Sequence, residues 1–274
     1  MNLKNKVVAR LKKVEIPYIL SCSIIGSFIF KKEFDNVEDV DIYLILDKMD
    51  IETYRKLAYE FDKICKNLST KNTKFVMELR AGAFKPKPRK GKKIIQLHVL
   101  INTPEMVSNK SPMVALDWRL SNMHIRGRRV SYFLKTKKFS KNDLLNGRDG
   151  LRYLLSLLES DKKAYMEWTV KNSAIERVKK EVRLDEDDLF DLIQFVVIQG
   201  FTNFIRLDKP KFLKLESKII EKAKKLHNNH YALVKDVFVI KNKLKNNEKV
   251  KLNIKDLKDK AFSFIEYLIK ELEK

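Results

Sequence analysis

Proline and glycine are spread so unevenly along this chain that they divide it into two different folding problems. Five of the six prolines (Pro17, Pro86, Pro88, Pro104 and Pro112) lie in the first 112 residues, and only Pro210 comes later. Beyond Gly150 the one remaining glycine is Gly200. Proline removes a backbone donor and clashes with the preceding helical turn, and glycine marks turns. The first part must therefore mix strands, loops and helices, whereas the second is free to be helical. This predicts a core with its linking segment over residues 1–139 and a basic α-helical domain over 140–274, with a soft boundary within 112–142.

The periodicities fill in that division. Leu3, Val7, Leu11 and Val14 recur at helical spacing. Tyr18 to Ile25 reads as a strand ending at Gly26-Ser27, and Asp41 to Leu46 as a buried strand rich in β-formers. Residues 51–68 repeat apolar side chains every three or four positions, which predicts a helix. Lys74–Ala81 and Lys93–Ile101 read as two strands of a hairpin joined by the basic loop AGAFKPKPRKGK. Trp118 to His124 reads as a linking helix and Gly127 to Leu134 as a short extended piece. Ser140 with Asp143 fits a capping box ahead of a leucine-rich helix over 144–158. Acids at Asp185–Asp188 suit the positive start of a long helix running to about Arg206. Segments 211–226, 229–244 and 253–273 predict further lysine-loaded helices. Phe190, Phe195, Phe201 and Phe204 read as core packing.

Composition narrows the class. Apolar residues make up 44% and aromatics 10%, which describes a folded protein. The formal net charge of +22 creates a field that attracts polyanions such as RNA, DNA or an anionic membrane surface. Cys22 and Cys65 form no paired framework, which favours a reducing, cytoplasmic setting. No apolar run approaches the roughly 20 residues that span a bilayer, and no cleavable leader is evident, so no membrane partner is expected. His227 and His230 lack the further ligands of a zinc site and read as structural.

The chemically informative stretch is IIGSFIFKKEFDNVEDVDIYLIL. Alternate residues of a strand share a face, so Asp39 and Asp41 converge while Val40 points to the core. Two adjacent carboxylates are hard oxygen ligands suited to Mg²⁺ or Mn²⁺, and a cation relieves their repulsion. Upstream, Gly26-Ser27 lets backbone approach a phosphate closely, with N–H groups and the Ser hydroxyl as donors. Lys31 and Lys32 stand near enough in sequence to neutralise a triphosphate.

Gly-Ser, a spacer of this length, and Asp-x-Asp between apolar flanks resemble the signature of the polymerase-β-like nucleotidyltransferase superfamily. That superfamily includes CCA-adding enzymes, poly(A) polymerases, antibiotic adenylyltransferases and the minimal nucleotidyltransferases of toxin–antitoxin pairs. The resemblance covers roughly residues 15–105 and implies an α+β fold: a small nucleotidyltransferase α/β core, here followed by an all-α helical domain. It also implies a divalent-metal mechanism in which an NTP is the substrate, Asp39 and Asp41 are catalytic metal ligands, and Gly26 and Ser27 bind nucleotide.

The superfamily further expects a third carboxylate on a later strand, and two positions compete for it. Glu78 in FVMELRAG has the apolar flanks and is the candidate third catalytic acid. His98 in IIQLHVLI occupies the second strand of the expected hairpin, where many relatives carry the acid. Histidine ligates metals but is a poor Mg²⁺ ligand and brings no negative charge. Around this core, Lys85, Lys87 and Arg89 in the basic loop, and Arg126, Arg128 and Arg129 beside Trp118, Tyr132 and Phe133, are candidate nucleic-acid contacts. The expected activity is transfer of NMP from an NTP to an RNA 3′ end, with tRNA as one such acceptor. A small molecule or a protein is the alternative acceptor, and a catalytically degenerate RNA-binding protein the third reading.

Overall fold

The computed structural model describes residues 3–30, 37–82, 93–135, 139–147, 150–160, 162–207, 216–245 and 248–274. The chain forms two compact units. One comprises Met1–Lys110, Asp117–Thr136 and Ala164–Glu181, and the other Ser111–Leu116, Lys137–Lys163 and Val182–Lys274.

The first unit is built on a five-stranded mixed sheet of β1 (Ile19–Ile25), β2 (Asp39–Leu46), β3 (Thr73–Glu78), β4 (Lys93–Asn102) and β5 (Asn122–Gly127), ordered β3-β4-β2-β1-β5. Strands β3, β4 and β2 run parallel to one another, while β1 is antiparallel to both β2 and β5. Helices α1 (Leu3–Lys12) and α2 (Ile51–Leu68) supply one side of the core. Leu3, Val7 and Leu11 of α1 and Leu57, Phe61 and Ile64 of α2 pack in one cluster with Val40, Ile42, Leu44 and Leu46 of β2. Asp50 caps α2, its carboxylate accepting from Thr53 N at 2.8 Å. Short helix α3 (Pro104–Ser108) and helix α4 (Pro112–Leu120) follow β4.

Two expectations are corrected here. Strands β3 and β4 are not a hairpin, because they pair in parallel, Thr73 opposite Lys93 and Glu78 opposite His98. Apolar alternation gives no strand direction, and the segment between them offers no two-residue turn. Its length instead suits the crossover that parallel strands need. The stretch around Trp118–Gly127 divides differently too: the helix ends at Leu120, and Asn122–Gly127 is an edge strand.

The second unit is helical: α5 (Lys141–Leu145), α6 (Leu151–Glu159), α7 (Glu186–Arg206), α8 (Glu216–Ala223), α9 (Asn228–Lys245) and α10 (Ile254–Glu273). The capping box forms as read, Ser140 Oγ accepting from Asp143 N and Asp143 accepting from Ser140 N. The single helix expected over 144–158 is broken at Asn146, with Gly147 at φ +84°. Asp185 caps α7 by accepting from Asp188 N at 2.9 Å. Helix α7 is long and apolar enough to cross a membrane, an exception to the reading above, yet 56% of that window is buried inside the fold. His230 packs on the rings of Tyr267 (4.5 Å) and Phe264 (5.3 Å).

The expectation that residues 140–274 are helical throughout also fails, at a β-hairpin of β6 (Lys162–Lys171) and β7 (Ala174–Arg183). Asn172 and Ser173, both at positive φ, make its turn. Residues 164–181 of this hairpin belong to the sheet unit, with Trp168 packed against its core. The signal was present as β-branched and aromatic residues alternating with charge (AYMEWTV, AIERV), but the surrounding leucine-rich helices outweighed it.

Candidate active site

The site begins with the pleat of β2. Asp39 and Asp41 are half-buried on one face, and Val40 between them is fully buried on the other. After Asp41 that same face carries Tyr43 and Ile45, both buried, and the Tyr43 ring lies 4.1 Å from that of Trp118. The acids are thus the only two positions on β2 that are open to an ion.

Gly26 ends β1 directly over Asp41. Its φ of +80° is a left-handed conformation that glycine adopts without cost, and a methyl built on it would lie 2.8 Å from Asp41 Oδ2. Only a residue without a side chain lets backbone come this close to the carboxylate. Ser27 then opens a 3₁₀ turn, Ser27–Phe30. Gly26 N donates to Ser121 O at 3.2 Å, so this N–H is committed to the fold and not to a phosphate. Ser121, buried at the end of α4, pins the turn, and nothing in the sequence marked it.

On the other side of Asp41 the parallel register sets His98 of β4 opposite Asp41, and Glu78 of β3 opposite His98. The three side chains form one row across three strands. His98 Nδ1 lies 3.0 Å from Asp41 Oδ1, and His98 Nε2 donates to Arg80 O at 2.9 Å. Burial pulls the imidazole down, but the hydrogen bond and charge of Asp41, the Arg80 carbonyl and the charge of Asp39 outweigh it and raise its pKa. Glu78 stands one strand further out, two strand spacings (about 10 Å) from Asp41. Its carboxylate is gripped by Arg80, whose Nε donates at 2.8 Å, Nη2 at 2.5 Å and backbone N at 2.9 Å. Burial pushes Glu78 up, yet these bonds leave its pKa below the ordinary value. The structure therefore brings His98, and not Glu78, to the aspartates.

Arg80 joins these parts and was missed in the sequence, although its spacing two residues after Glu78 was available as a signal. Its side chain holds Glu78, its carbonyl holds His98, and its guanidinium lies 5.3 Å from the Tyr165 ring centroid of β6. The neighbouring Ala81 exchanges two 2.8 Å backbone hydrogen bonds with Met166.

Among the basic candidates, Arg126, Arg128 and Arg129 fall within the described residues. Lys85, Lys87 and Arg89, with Lys31 and Lys32, lie outside the described residues. Arg126 is paired across β5 with Cys22, three residues before Ile25, which puts it roughly 10 Å along the strands from the acid row. Its guanidinium donates to Val14 O, within the fold. Arg128 and Arg129 are exposed, and Arg128 sits 4.7 Å over the ring of exposed Tyr132.

The resemblance implies a divalent cation at this face of β2. Asp39 and Asp41 offer adjacent, solvent-reachable carboxylates, which fit one such ion. The position beside Asp41 where a third acid would stand is filled by His98. Among the described residues no three Asp, Glu, His or Cys side chains converge as a complete metal cage.

No protein-family model and no curated protein sequence matches the chain. Among solved structures, the spectinomycin adenyltransferase AAD(9) from Enterococcus faecialis, with ATP and spectinomycin, matches over 100% of both chains with a TM-score of 0.55 and 12% identity. A likeness at that identity is one of fold. The central mixed sheet flanked by helices, with a helical C-terminal region, is thus an architecture that this chain shares with that structure over the whole length of both chains.

Proposed function

We propose that this protein is a metal-dependent nucleotidyltransferase that moves NMP from an NTP to an RNA 3′ end. The observation that carries the reaction class is the Gly26 backbone turned onto Asp41, with Asp39 beside it on the same face of β2. In this reading the acceptor hydroxyl oxygen bonds to the α-phosphorus, the α–β bridging P–O bond breaks, pyrophosphate leaves, and the hydroxyl proton passes to solvent. Asp39 and Asp41 would hold the divalent cation, which when bound neutralises the triphosphate and stabilises the departing pyrophosphate. The turn at Gly26-Ser27 orients the triphosphate against that face by close backbone approach. Net charge supports the acceptor, since +22 favours a polyanion over a cationic small molecule.

A second reading has its own support. The full-length likeness to a spectinomycin adenyltransferase favours a small-molecule acceptor on the same core. Labelled NTP incubated with total RNA, and separately with small-molecule extracts, decides between them, with Asp39→Ala and Asp41→Ala as controls. Label on RNA that falls to background in both variants is the expected result. Label on a small molecule or on protein would move the acceptor to the second reading. Mg²⁺-indifferent RNA binding without any transfer would leave only a non-catalytic RNA binder.

A further inference from the structure

The row that crosses β2 and β4 assigns a metal preference to this site, and the inference rests on the nucleotidyltransferase reading. We propose that His98 Nδ1 and Asp41 Oδ1 are neighbouring ligands of one divalent cation, and that the nitrogen makes the site select a first-row ion such as Mn²⁺ over Mg²⁺.

Three observations carry this. The first is distance. In an octahedral ion with bonds of about 2.1 Å, adjacent ligands lie about 3.0 Å apart, and Nδ1 and Oδ1 are 3.0 Å apart. The spacing of the pair matches that edge, and binding requires the Nδ1 proton to leave. The second is the other ring nitrogen. A carbonyl only accepts, so the 2.9 Å contact to Arg80 O fixes the hydrogen on Nε2. Metal-binding histidines are oriented in this way, by donating the distal N–H to a carbonyl or carboxylate. The third is that the orienting group is itself held. Arg80 is fixed by its three bonds to Glu78 and by the Tyr165 ring.

Donor chemistry gives the preference. Mg²⁺ demands oxygen ligands in near-ideal geometry, and imidazole nitrogen suits first-row transition ions better. Asp39, two residues away on the same face, adds a second carboxylate within the site. Because no three side chains form a cage among the described residues, water and triphosphate oxygens would complete the shell. In the metal-free protein the Nδ1–Asp41 contact is a hydrogen bond. The cation takes the Nδ1 lone pair, and the displaced proton passes to solvent. Exposure is compatible with entry, since the Asp41 side chain is 29% and the His98 side chain 16% accessible.

The test uses the full-length protein and Mn²⁺ itself, without nucleotide and again with ATP. Bound Mn²⁺ is counted by electron paramagnetic resonance, and electron spin-echo modulation reads the imidazole ¹⁴N coupling. Wild type should show that coupling. His98→Gln should lose it together with at least about tenfold of Mn²⁺ affinity, since tenfold is the lower end of the loss when only a group supporting a ligand is removed. His98→Asp should bind Mn²⁺ without the coupling and let Mg²⁺ compete about tenfold better. Thermal melts confirm that each variant is folded, and the wild-type spectrum is decisive even if one is not. Bound Mn²⁺ with no ¹⁴N coupling overturns this inference, and Asp39- and Asp41-dependent transfer would then leave the proposed function standing. Absence of Mn²⁺ binding in both conditions overturns the inference as well, and only absent transfer would take the proposed function with it.

Discussion

Along β2 every residue from Val40 to Leu46 is buried except Asp41. Along α7 the buried set mixes apolar side chains (Leu192, Ile193, Val196, Val197, Phe201) with the polar Gln194, Thr202, Asn203 and Arg206, while the acids Glu186 and Asp187 stand in solvent at the first turn. Both elements hide hydrophobic surface, and they differ in what surrounds their polar exceptions. In the strand those exceptions are held by neighbouring strands, Asp41 by His98 and His98 by Arg80. In the helix the acids are solvated and serve the dipole, and the buried polar groups lie within the helical core. Damage to the strand row should therefore appear in chemistry, and damage to the helical core in stability.

The largest expected effect lies in the helical unit. Phe264 of α10 is fully buried, with ring contacts to Phe201 at 6.2 Å and His230 at 5.3 Å. Phe264→Ala should cost about 3–5 kcal/mol of unfolding free energy in a denaturant titration. A loss below about 1 kcal/mol would show that this core is loosely packed and break the contrast.

One substitution at two glycines sharpens the comparison. Gly26→Ala pushes a methyl to 2.8 Å from Asp41 Oδ2 at a φ of +80°. Displacing that carboxylate by a fraction of an ångström should lower transfer on the order of 10²-fold, with only a modest fall in melting temperature. Gly200→Ala meets only the end of a flexible side chain, Ile265 Cδ1 at 2.5 Å, with Leu154 Cδ1 at 3.5 Å. Crowding there costs about 1–3 kcal/mol, and the gain in helix propensity offsets about 1 of it. Kinetic assay beside thermal melting reads both variants. If Gly26→Ala retained full transfer, the close approach of turn and carboxylate would have no functional meaning.

Much of this was legible because local rules and tertiary packing agreed. The helix over Ile51–Leu68, the Ser140–Asp143 capping box and the outward pairing of Asp39 and Asp41 around Val40 follow from period, caps and pleat alone. What stayed hidden depends on which strands become neighbours. Period-2 alternation is the same for parallel and antiparallel pairing, so Lys93–Ile101 reads as a hairpin partner, whereas the strand Lys93–Asn102 pairs in parallel. That direction decides the site, since it sets His98 opposite Asp41. The roles of Arg80 and Ser121, as distinct from the spacing of Arg80 after Glu78, were illegible for a related reason. One acts partly through its carbonyl and the other holds Gly26 across 95 residues of sequence.

The smallest expected effect tests how Arg80 is held. Glu78 accepts three hydrogen bonds from Arg80 and has a pKa lowered from 4.5 because these bonds outweigh the cost of its burial. A carboxylate with a depressed folded pKa stabilises the fold above its unfolded value and loses that contribution as pH falls through the folded one. Glu78→Gln removes the charge and keeps the shape. The variant should therefore melt below wild type at neutral pH, and the gap should close as pH falls below about 4, where wild type also loses the charge. Melting curves across that range are the measurement. A gap that persisted unchanged into acid would mean that the Arg80 guanidinium over the Tyr165 ring, and not the ion pair, keeps the carbonyl aimed at His98. In that event Tyr165 on β6, and not Glu78, would be the residue on which the orientation of the Asp41–His98 pair depends.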